Sequence, residues 1–489
     1  MGKSLLFLVG GLTIITGLVN VQNSDRMQDL PEITNAYYEE QVAKNIAKSL
    51  IDNAIENMKA DNNWTDSLTL TEVMDAGAML TRDNDLLKTN VTKLLAGQSV
   101  EEAQVEELEL DVLQSKLLQN KMSGSLKSYT QSSSDKPSNS VGSWDEYKVL
   151  LMSTSTYDNI EVTTEVLMQR DSFSKYSYMT NSELSSTGGN IWFMSADNIY
   201  GPIHTNGTFK MSGNPSFYGL ITSPNNWQAH STNPTNPNFF GGENFNAPVK
   251  DSPTSYELSK LTAAAAEGGL TFDGDIDIDF YESGGVGYAD INKAVVTSYT
   301  CGTNRRPRIC YNTTWVQETL DLSTIDGVIS TSGKISVEGT VKGAITLHSE
   351  DEIEIVGDIF YHTSPVVDSS STDLLGLVSE GDVIIDQNAH SASGTQDVTI
   401  HASIMALNNS FYVENYSSGG IRGTLNLLGG LIQQNRGPVG TFSGSTMVTG
   451  YQKNYQYDGR LKGNIPPSFP RESVFSIVYW KEEITDTSN

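Results

Sequence analysis

The chain has 489 residues, more than one ordinary domain holds, so two or three domains are expected. It contains 59 acidic and 31 basic residues, and its formal net charge is −28. This charge excludes broad nucleic-acid binding, because the protein surface would repel the phosphate backbone at close range. Glycine and small polar residues are frequent, and helix-forming stretches end near residue 130, which predicts a β-rich body with many turns.

An uncharged apolar segment from Ser4 to Gln22 is the first element in chain order. As a helix it would be just long enough to cross a bilayer, and it must lie in lipid or pack among similar helices. The residues that we expect to be buried in this way are Leu5, Leu6, Phe7, Leu8, Val9, Leu12, Ile14, Ile15, Leu18 and Val19. Three interpretations are open: a secretory signal that is removed, an uncleaved membrane anchor, and a helix that lies first in the membrane and later in a filament core. The residues that follow Leu18 fit a signal-peptidase site poorly, which disfavours the first interpretation.

Two helical sections are predicted next. Apolar residues recur at steps of three, four and seven from Ile33 to Met58, which indicates an amphipathic helix with one apolar face. Pro31 predicts a kink at its junction with the apolar segment, because proline deletes a backbone donor. A second helical section is predicted over residues 84–128, with a break at Gly97, and its acidic run is predicted to be a solvated face.

Strands are predicted after a serine-rich linker at residues 129–143. Residues 147–152, 160–168 and 176–179 are predicted to form a small antiparallel sheet that packs on the amphipathic helix. From about residue 190, very short apolar runs recur every six to ten residues with glycines between them. This spacing favours a parallel β-solenoid, in which the short strands of successive coils stack. An antiparallel sandwich is the alternative.

The predicted fold class is therefore α+β: a long N-terminal pilin-like helix with a small antiparallel sheet, followed by a large β-rich domain built as a parallel β-solenoid. The predicted divisions are a membrane or filament-core helix (1–58), a head with a helical insertion at about 84–128 (59–189), a solenoid-like domain (190–475) and a C-terminal tail (476–489).

The two cysteines of the chain, Cys301 and Cys310, enclose eight residues. Two thiols cannot supply a four-cysteine zinc site. Because the apolar segment implies export to an oxidising compartment, a local disulfide is predicted, with two unrelated buried thiols as the alternative. Three arginines lie in the same loop: Arg305, Arg306 and Arg308. They could bind an anion or a neighbouring subunit, or simply be solvated.

Four aspartates alternate along a predicted strand: Asp273, Asp275, Asp277 and Asp279. On a strand all four side chains point to one face, where their like charges repel. A Ca²⁺ ion could relieve this repulsion by taking oxygen ligands from them, although the spacing is not that of an EF-hand. The alternative is an ordinary solvated strand face.

The motifs of common enzymes are absent from the sequence. None of the six histidines lies at the spacing of a zinc protease motif, and no nucleophile elbow or P-loop occurs. His204 lies among turn-forming residues and is predicted to be structural. Solenoids can host enzymes that cleave polysaccharides with paired carboxylates. The candidates for such a groove are Asp351, Glu352, Glu354 and Asp358.

Several stretches resemble known families. Residues Tyr37 to Leu50 resemble the amphipathic half of the N-terminal helix of type IV pilin-like proteins. Five further stretches resemble an uncharacterised domain family of large pilin-like surface proteins: Arg170–Tyr176, Asn198–Gly207, Gly430–Gly440, Tyr457–Arg460 and Pro466–Pro470. The chain also resembles large minor pilins that carry a β-solenoid.

This resemblance implies a non-enzymatic filament subunit of a bacterium. It implies anchoring in the inner membrane before assembly, other pilin-like subunits as partners through the N-terminal helix, and a final place in an extracellular filament at the cell surface. Filament-body pilins have a glutamate five residues after the processing site, where this chain has Leu5 or Phe7. The departure implies a minor or tip pilin that displays the solenoid for adhesion or partner contact, with a surface or glycan ligand.

Two alternatives stay open. One is a major structural subunit of an extracellular filament, and the other is a surface-anchored solenoid enzyme that acts on polysaccharide. No cofactor is expected apart from the Ca²⁺ ion that the aspartates could bind.

Overall fold

The computed structural model describes residues 36–37, 39–59, 61, 64, 66–70, 122–137, 141, 143–303, 306–392, 396–443 and 446–487. It divides into two compact units. The first unit comprises Met1–Arg170 and Val474–Asn489, and the second comprises Asp171–Ser473. The apolar segment 4–22 lies outside the described residues.

The fold class predicted from the sequence is wrong. Of the described residues, 52% lie in strands and 13% in helices, and these residues form large many-stranded sheets instead of the predicted long helix with a small sheet. Residues 122–128, predicted as the end of a helix, belong to a strand because Met122, Leu126 and Ser128 alternate towards the interior at a period of two. Residues 84–121 of the same predicted helix lie outside the described residues.

The described helices are α1 (39–59), α2 (Ser255–Glu267) and α3 (Ala389–Ala392). The described strands are β1 Ser67–Thr69, β2 Met122–Tyr129, β3 Lys148–Tyr157, β4 Ile160–Ser172, β5 Tyr178–Ser182, β6 Asn198–Ile199, β7 Ile203–Thr205, β8 Lys210–Met211, β9 Ser216–Phe217, β10 Ile221–Thr222, β11 Gln228–Ala229, β12 Asn238–Phe239, β13 Glu243–Asn244, β14 Leu270–Phe272, β15 Ile276–Ser283, β16 Val286–Thr303, β17 Arg306–Asp321, β18 Val328–Thr331, β19 Ile335–Val341, β20 Ala344–Ser349, β21 Ile353–Tyr361, β22 Leu374–Ser379, β23 Val383–Ile385, β24 Val398–Ala406, β25 Phe411–Val413, β26 Ile421–Asn435, β27 Gly440–Ser443, β28 Thr446–Tyr457 and β29 Arg471–Asp486.

In the first unit, α1 packs on a sheet with the strand order β1-β2-β3-β4-β29. The pairs β1–β2, β2–β3 and β3–β4 are antiparallel. The apolar face of α1 is buried at Ala43, Ile46, Leu50 and Ala54, which recur at helical spacing. A Cβ atom at Gly124 of β2 would lie 2.7 Å from Ile46 Cγ2, so glycine permits this close approach of the helix to the sheet.

In the second unit, parallel strands of successive coils stack into a continuous ladder. Its order is β14-β18-β20-β22-β24-β26-β5-β7-β10-β13. One buried apolar side chain from each of eight consecutive strands occupies the same register position: Ile329, Leu347, Leu377, Ile404, Leu431, Tyr178, Ile203 and Ile221. Each coil thus covers the apolar face of the next, which no coil could bury alone.

Hydroxyl side chains close one corner of the coils. Ser349 Oγ donates to the carbonyl of Gly333 in the preceding coil (2.7 Å) and accepts the N–H of Asp351 in its own turn (3.0 Å). Thr331 and Ser379, which share its register position, make the same two kinds of bond. These buried hydroxyls therefore satisfy turn donors and tie each coil to the one before it.

The ladder joins strands that are far apart in the sequence at one place, where β26 pairs with β5. We call this junction, together with the pair β28–β6, the seam. The stretch 176–179 was predicted to complete the small antiparallel sheet, and this is wrong, because β5 lies in the parallel stack instead. Its buried residues Tyr178 and Met179 find an apolar neighbour in Leu431 and Ile432 of β26, which sequence patterning could not reveal.

A buried ion pair lies at the seam. Arg436, which follows β26, donates through Nη1 to Glu183 Oε2 at 2.9 Å, although the two residues are 253 positions apart. Both side chains are almost fully buried. The guanidinium also donates to the carbonyl oxygens of Ile191 and Trp192 and lies 3.7 Å from the centroid of the Phe193 ring. The buried charge is therefore both paired and hydrogen-bonded, as its desolvation requires.

We predict that Glu183→Gln destabilises the second unit by about 3–5 kcal/mol, because it leaves Arg436 buried without an anionic partner. The matched control is Glu318→Gln, which breaks a more exposed pair with Lys293 (2.7 Å) and should cost less than about 1 kcal/mol. Denaturant unfolding followed by tryptophan fluorescence measures both changes. Equal losses of unfolding free energy in the two variants would show that the buried pair stabilises the unit no more than the exposed pair does.

We predict that Leu50→Ala destabilises the first unit by about 2–5 kcal/mol, because the truncation leaves a cavity between α1 and the sheet. Lys48→Ala, on the exposed side of the same helix, is the control and should change stability by less than about 0.5 kcal/mol. Hydrogen exchange of the β2 and β3 amides reports the loss locally. Unchanged protection of these amides in Leu50→Ala would show that α1 does not stabilise the sheet.

Candidate functional site

The predicted disulfide is present in a long exposed hairpin. Cys301 and Cys310 are bonded, with Cα atoms 5.8 Å apart, near the tip of the β16–β17 hairpin. Strand β15 pairs with β16 only as far as Lys293. Beyond that point, within the described residues, the two strands pair only with each other. We call residues 294–316 the arm; residues 304 and 305 in its turn, which include one of the three predicted arginines, lie outside the described residues.

The two faces of the arm differ in chemistry. Directly paired residues of antiparallel strands point to the same side. One face carries the pairs Ala294–Trp315, Val296–Thr313, Ser298–Tyr311, Thr300–Ile309 and Gly302–Pro307. None of these ten residues is Asp, Glu, His, Lys or Arg, yet Trp315, Tyr311 and Ile309 are 54%, 70% and 67% exposed. The other face and the tip carry Arg306 and Arg308.

The four predicted calcium ligands do not form one cluster. Asp273 and Asp275 precede β15, and Asp275 Oδ1 accepts the N–H of Lys334 (3.0 Å). Asp277 lies in β15 between Asn292 and Ser336 on the neighbouring strands. Among the residues that the structure describes, no group of three or more His, Cys, Asp or Glu side chains is arranged to hold a metal ion. The Ca²⁺ site stays a prediction of the sequence.

Asp279, by contrast, lies in a row of carboxylates across three strands. It is paired with Asp290 of β16 and with Glu338 of β19. Burial, together with Asp290, raises the pKa of Asp279 above its usual range, and burial, Asp279 and Asp358 raise the pKa of Glu338. The sequence could not reveal this row, because Asp290 and Glu338 come from neighbouring strands whose register is set by the fold.

Besides the arm, the second unit has a polar cleft of about 390 Å³ that is a candidate contact site. Among its described lining residues none is acidic, and Arg422 donates to the carbonyl oxygens of Glu414 (3.0 Å) and Asn415 (2.7 Å). His390, also in the lining, is hydrogen-bonded through Nδ1 to the hydroxyl of Tyr451 (3.2 Å). Burial raises the pKa of Tyr451 to about 12, so this hydroxyl stays protonated at neutral pH. The cleft offers amide, imidazole and guanidinium groups that suit a hydroxyl-rich ligand.

His204 is buried on the face of β7 opposite to Ile203 and the apolar column of the stack. Its Nδ1 is hydrogen-bonded to Thr222 Oγ1 (2.8 Å) and its Nε2 to Asn206 Oδ1 (3.0 Å). Burial lowers the pKa of this imidazole. Both ring nitrogens are used within the fold, in agreement with the structural role predicted for this residue.

The candidate membrane-inserting residues, Leu5 to Val19, lie outside the described residues. No helix in the part of the chain that the structure describes has the length and apolar character needed to cross a membrane.

These observations define a protein of two units, the larger of which is a stack of parallel coils with a projecting, disulfide-closed arm. Residues 152–225 match a family described as a domain of unknown function, DUF4900. The matched residues begin in β3 and end just after β10, and so include the early strands of the seam. No curated protein matches the chain.

Among solved structures, the chain is similar to the competence-associated pilin ComZ from Thermus thermophilus. The two share 11% identity over 74% of this chain and 84% of that chain, with a TM-score of 0.30. Likeness at this level does not establish a shared fold.

We predict that Asp279→Asn raises the midpoint of thermal unfolding at pH 7, by an amount equivalent to about 0.2–1 kcal/mol. A raised pKa means that the folded chain binds more protons than the unfolded chain, so stability falls as pH rises through this window. The advantage of the variant should therefore shrink as pH is lowered below about 4.

Asp277→Asn is the control, since the cross-strand neighbours of Asp277 are neutral. Melts are recorded from pH 3 to 8 in EDTA and again with Ca²⁺. A lower midpoint for Asp279→Asn in EDTA would contradict repulsion in this row. Ca²⁺ that stabilised the unsubstituted chain and not Asp279→Asn would establish binding at the row.

Proposed function

We propose that the protein is a non-enzymatic subunit of an extracellular, pilus-like filament. It is anchored in the inner membrane of a bacterium before assembly and is held in the filament by other pilin-like subunits. The observation that carries the proposal is the uncharged segment 4–22, which leads in the sequence to α1. The apolar face of α1 is covered by the sheet of its own unit, so α1 is a folded connection, and the segment before it is the assembling element.

A minor or tip position follows from the same segment. Neither Leu5 nor Phe7 can supply the carboxylate that pairs with the terminal amine of a neighbour in a filament body. An amine left unpaired in an apolar core is unfavourable. A subunit at the tip has no neighbour above it, so it does not need this carboxylate.

In this proposal, the second unit is a contact surface and not a catalyst. Two of the four acids considered for a polysaccharide-cleaving groove are occupied by the fold. Glu354 pairs with Lys334 at 2.8 Å, and Asp358 accepts the N–H of Thr399 at 2.7 Å. The polar cleft around Arg422 suits a glycan on a surface, whose hydroxyl groups its side chains can bind.

We predict that Ile15→Asp lowers the amount of the protein in sheared surface filaments at least about tenfold. A carboxylate near the centre of a membrane-inserted helix costs about 2.5–3.5 kcal/mol. Ile15→Val is the control and should assemble as the unsubstituted chain does. Quantitative immunoblots of sheared and membrane fractions, together with the N-terminal residue of the mature protein, measure the effect.

Three outcomes are distinguishable. Equal incorporation of Ile15→Asp and the unsubstituted chain would overturn the proposal. An unsubstituted chain that stays in the membrane fraction, with Met1 retained, would indicate a plain anchor. A copy number as high as that of the most abundant filament protein would indicate a major subunit.

A further inference from the structure

The arm is built to stand free of its own unit. A two-stranded ribbon is at best marginally stable in water without further packing. Here the Cys301–Cys310 bond closes the ribbon near its tip, which limits the freedom of the unfolded ribbon. Within the described residues no further strand pairs with the arm.

The uncharged face of the arm has the character of a protein interface. Trp315, Tyr311 and Ile309 lie along one side of the ribbon, and each exposes more than half of its surface. Aromatic side chains of this kind provide most of the binding energy in protein interfaces, and exposed apolar patches mark interaction sites.

The charge of the arm identifies the kind of partner. Residues 294–316 contain three cations, all of them arginines, and no carboxylate. The whole chain has a net charge of −28, so the remainder carries −31. A cationic arm on a strongly acidic chain is complementary to the surface of another copy of that chain, and complementary charge favours their encounter.

Strand β29 offers an acidic and apolar counterpart. Among the described strands it is the last in the sheet of the first unit and adjoins only β4. Trp480, Glu482 and Ile484 share one face of this strand and are exposed, and Glu483 points to the opposite face. A long exposed edge strand with apolar side chains is a template for pairing with another chain.

We propose that the arm of one copy docks on β29 of a second copy. Trp315, Tyr311 and Ile309 cover Trp480 and Ile484, and Arg306 at the tip of the arm faces Glu482. The contact joins two different surfaces of two copies, so it is head-to-tail. It involves neither segment 4–22 nor the polar cleft, and it holds whether or not the chain enters a filament.

Site-specific photo-crosslinking in intact cells tests the contact with the full chain. We replace Tyr311 by p-benzoylphenylalanine, irradiate, and expect an adduct of twice the chain mass whose cross-linked peptide lies within residues 474–487. The matched control is the same replacement at Phe240, which is 65% exposed elsewhere in the second unit and should give no such adduct. An adduct with a different protein or with a polysaccharide, or no adduct, would overturn the proposal.

A charge exchange tests the assigned pairing. Arg306→Glu and Glu482→Lys, each alone in a chain carrying the photo-reactive group, should lower the yield of the adduct about tenfold, because like charges then meet. The two substitutions together should restore it. Single variants that leave the yield unchanged, or a double variant that does not recover, would refute the pairing. Because the adduct forms without filament incorporation, its loss and the loss of filament incorporation in Ile15→Asp are separate results.

Discussion

The second unit depends on a pairing that chain order does not favour, the contact of β26 with β5. Closing so long a loop costs conformational entropy before any packing rewards it. The ion pair between Arg436 and Glu183 lies at this seam, and a second pair joins Lys453 to Asp197 nearby (3.5 Å). A buried charge requires its partner, so these pairs penalise every other register of the two strands. They thereby select one closure of the stack.

The seam also explains why certain stretches of the sequence are distinctive. Asn198–Gly207 and Gly430–Gly440, which carry the family resemblance, lie on its two sides. Gly201 has φ +89°, and a Cβ atom there would lie 2.5 Å from Tyr457 Cβ. Both the left-handed backbone conformation and the lack of space therefore exclude a side chain at this position. The glycine at this position is therefore required by the closure of the stack.

The sequence predicted features that are local and missed those that depend on register. The amphipathic period of α1 and the disulfide could be predicted, because both depend only on residues that are close together in the sequence. The fold class was not, since strands of two or three residues, such as β6 and β7, carry too little pattern to show which coil they join. The row formed by Asp279, Asp290 and Glu338 was hidden for the same reason. Arg436 lies in Gly430–Gly440, one of the stretches that resemble a domain family, but its partner Glu183 could not be identified from the sequence alone.

Electrostatics limits the ways in which copies of this chain can meet. With a net charge of −28, two copies repel over most orientations. The apolar face of α1 is covered by its sheet, and the apolar column of the stack is closed by its own coils. The arm combines exposed aromatic residues with cations and no carboxylates, so it can approach an acidic surface without this penalty. Because the acidic surfaces repel each other and only the arm is cationic, copies of the chain favour a single defined contact over unspecific association. An orderly assembly requires such a defined contact.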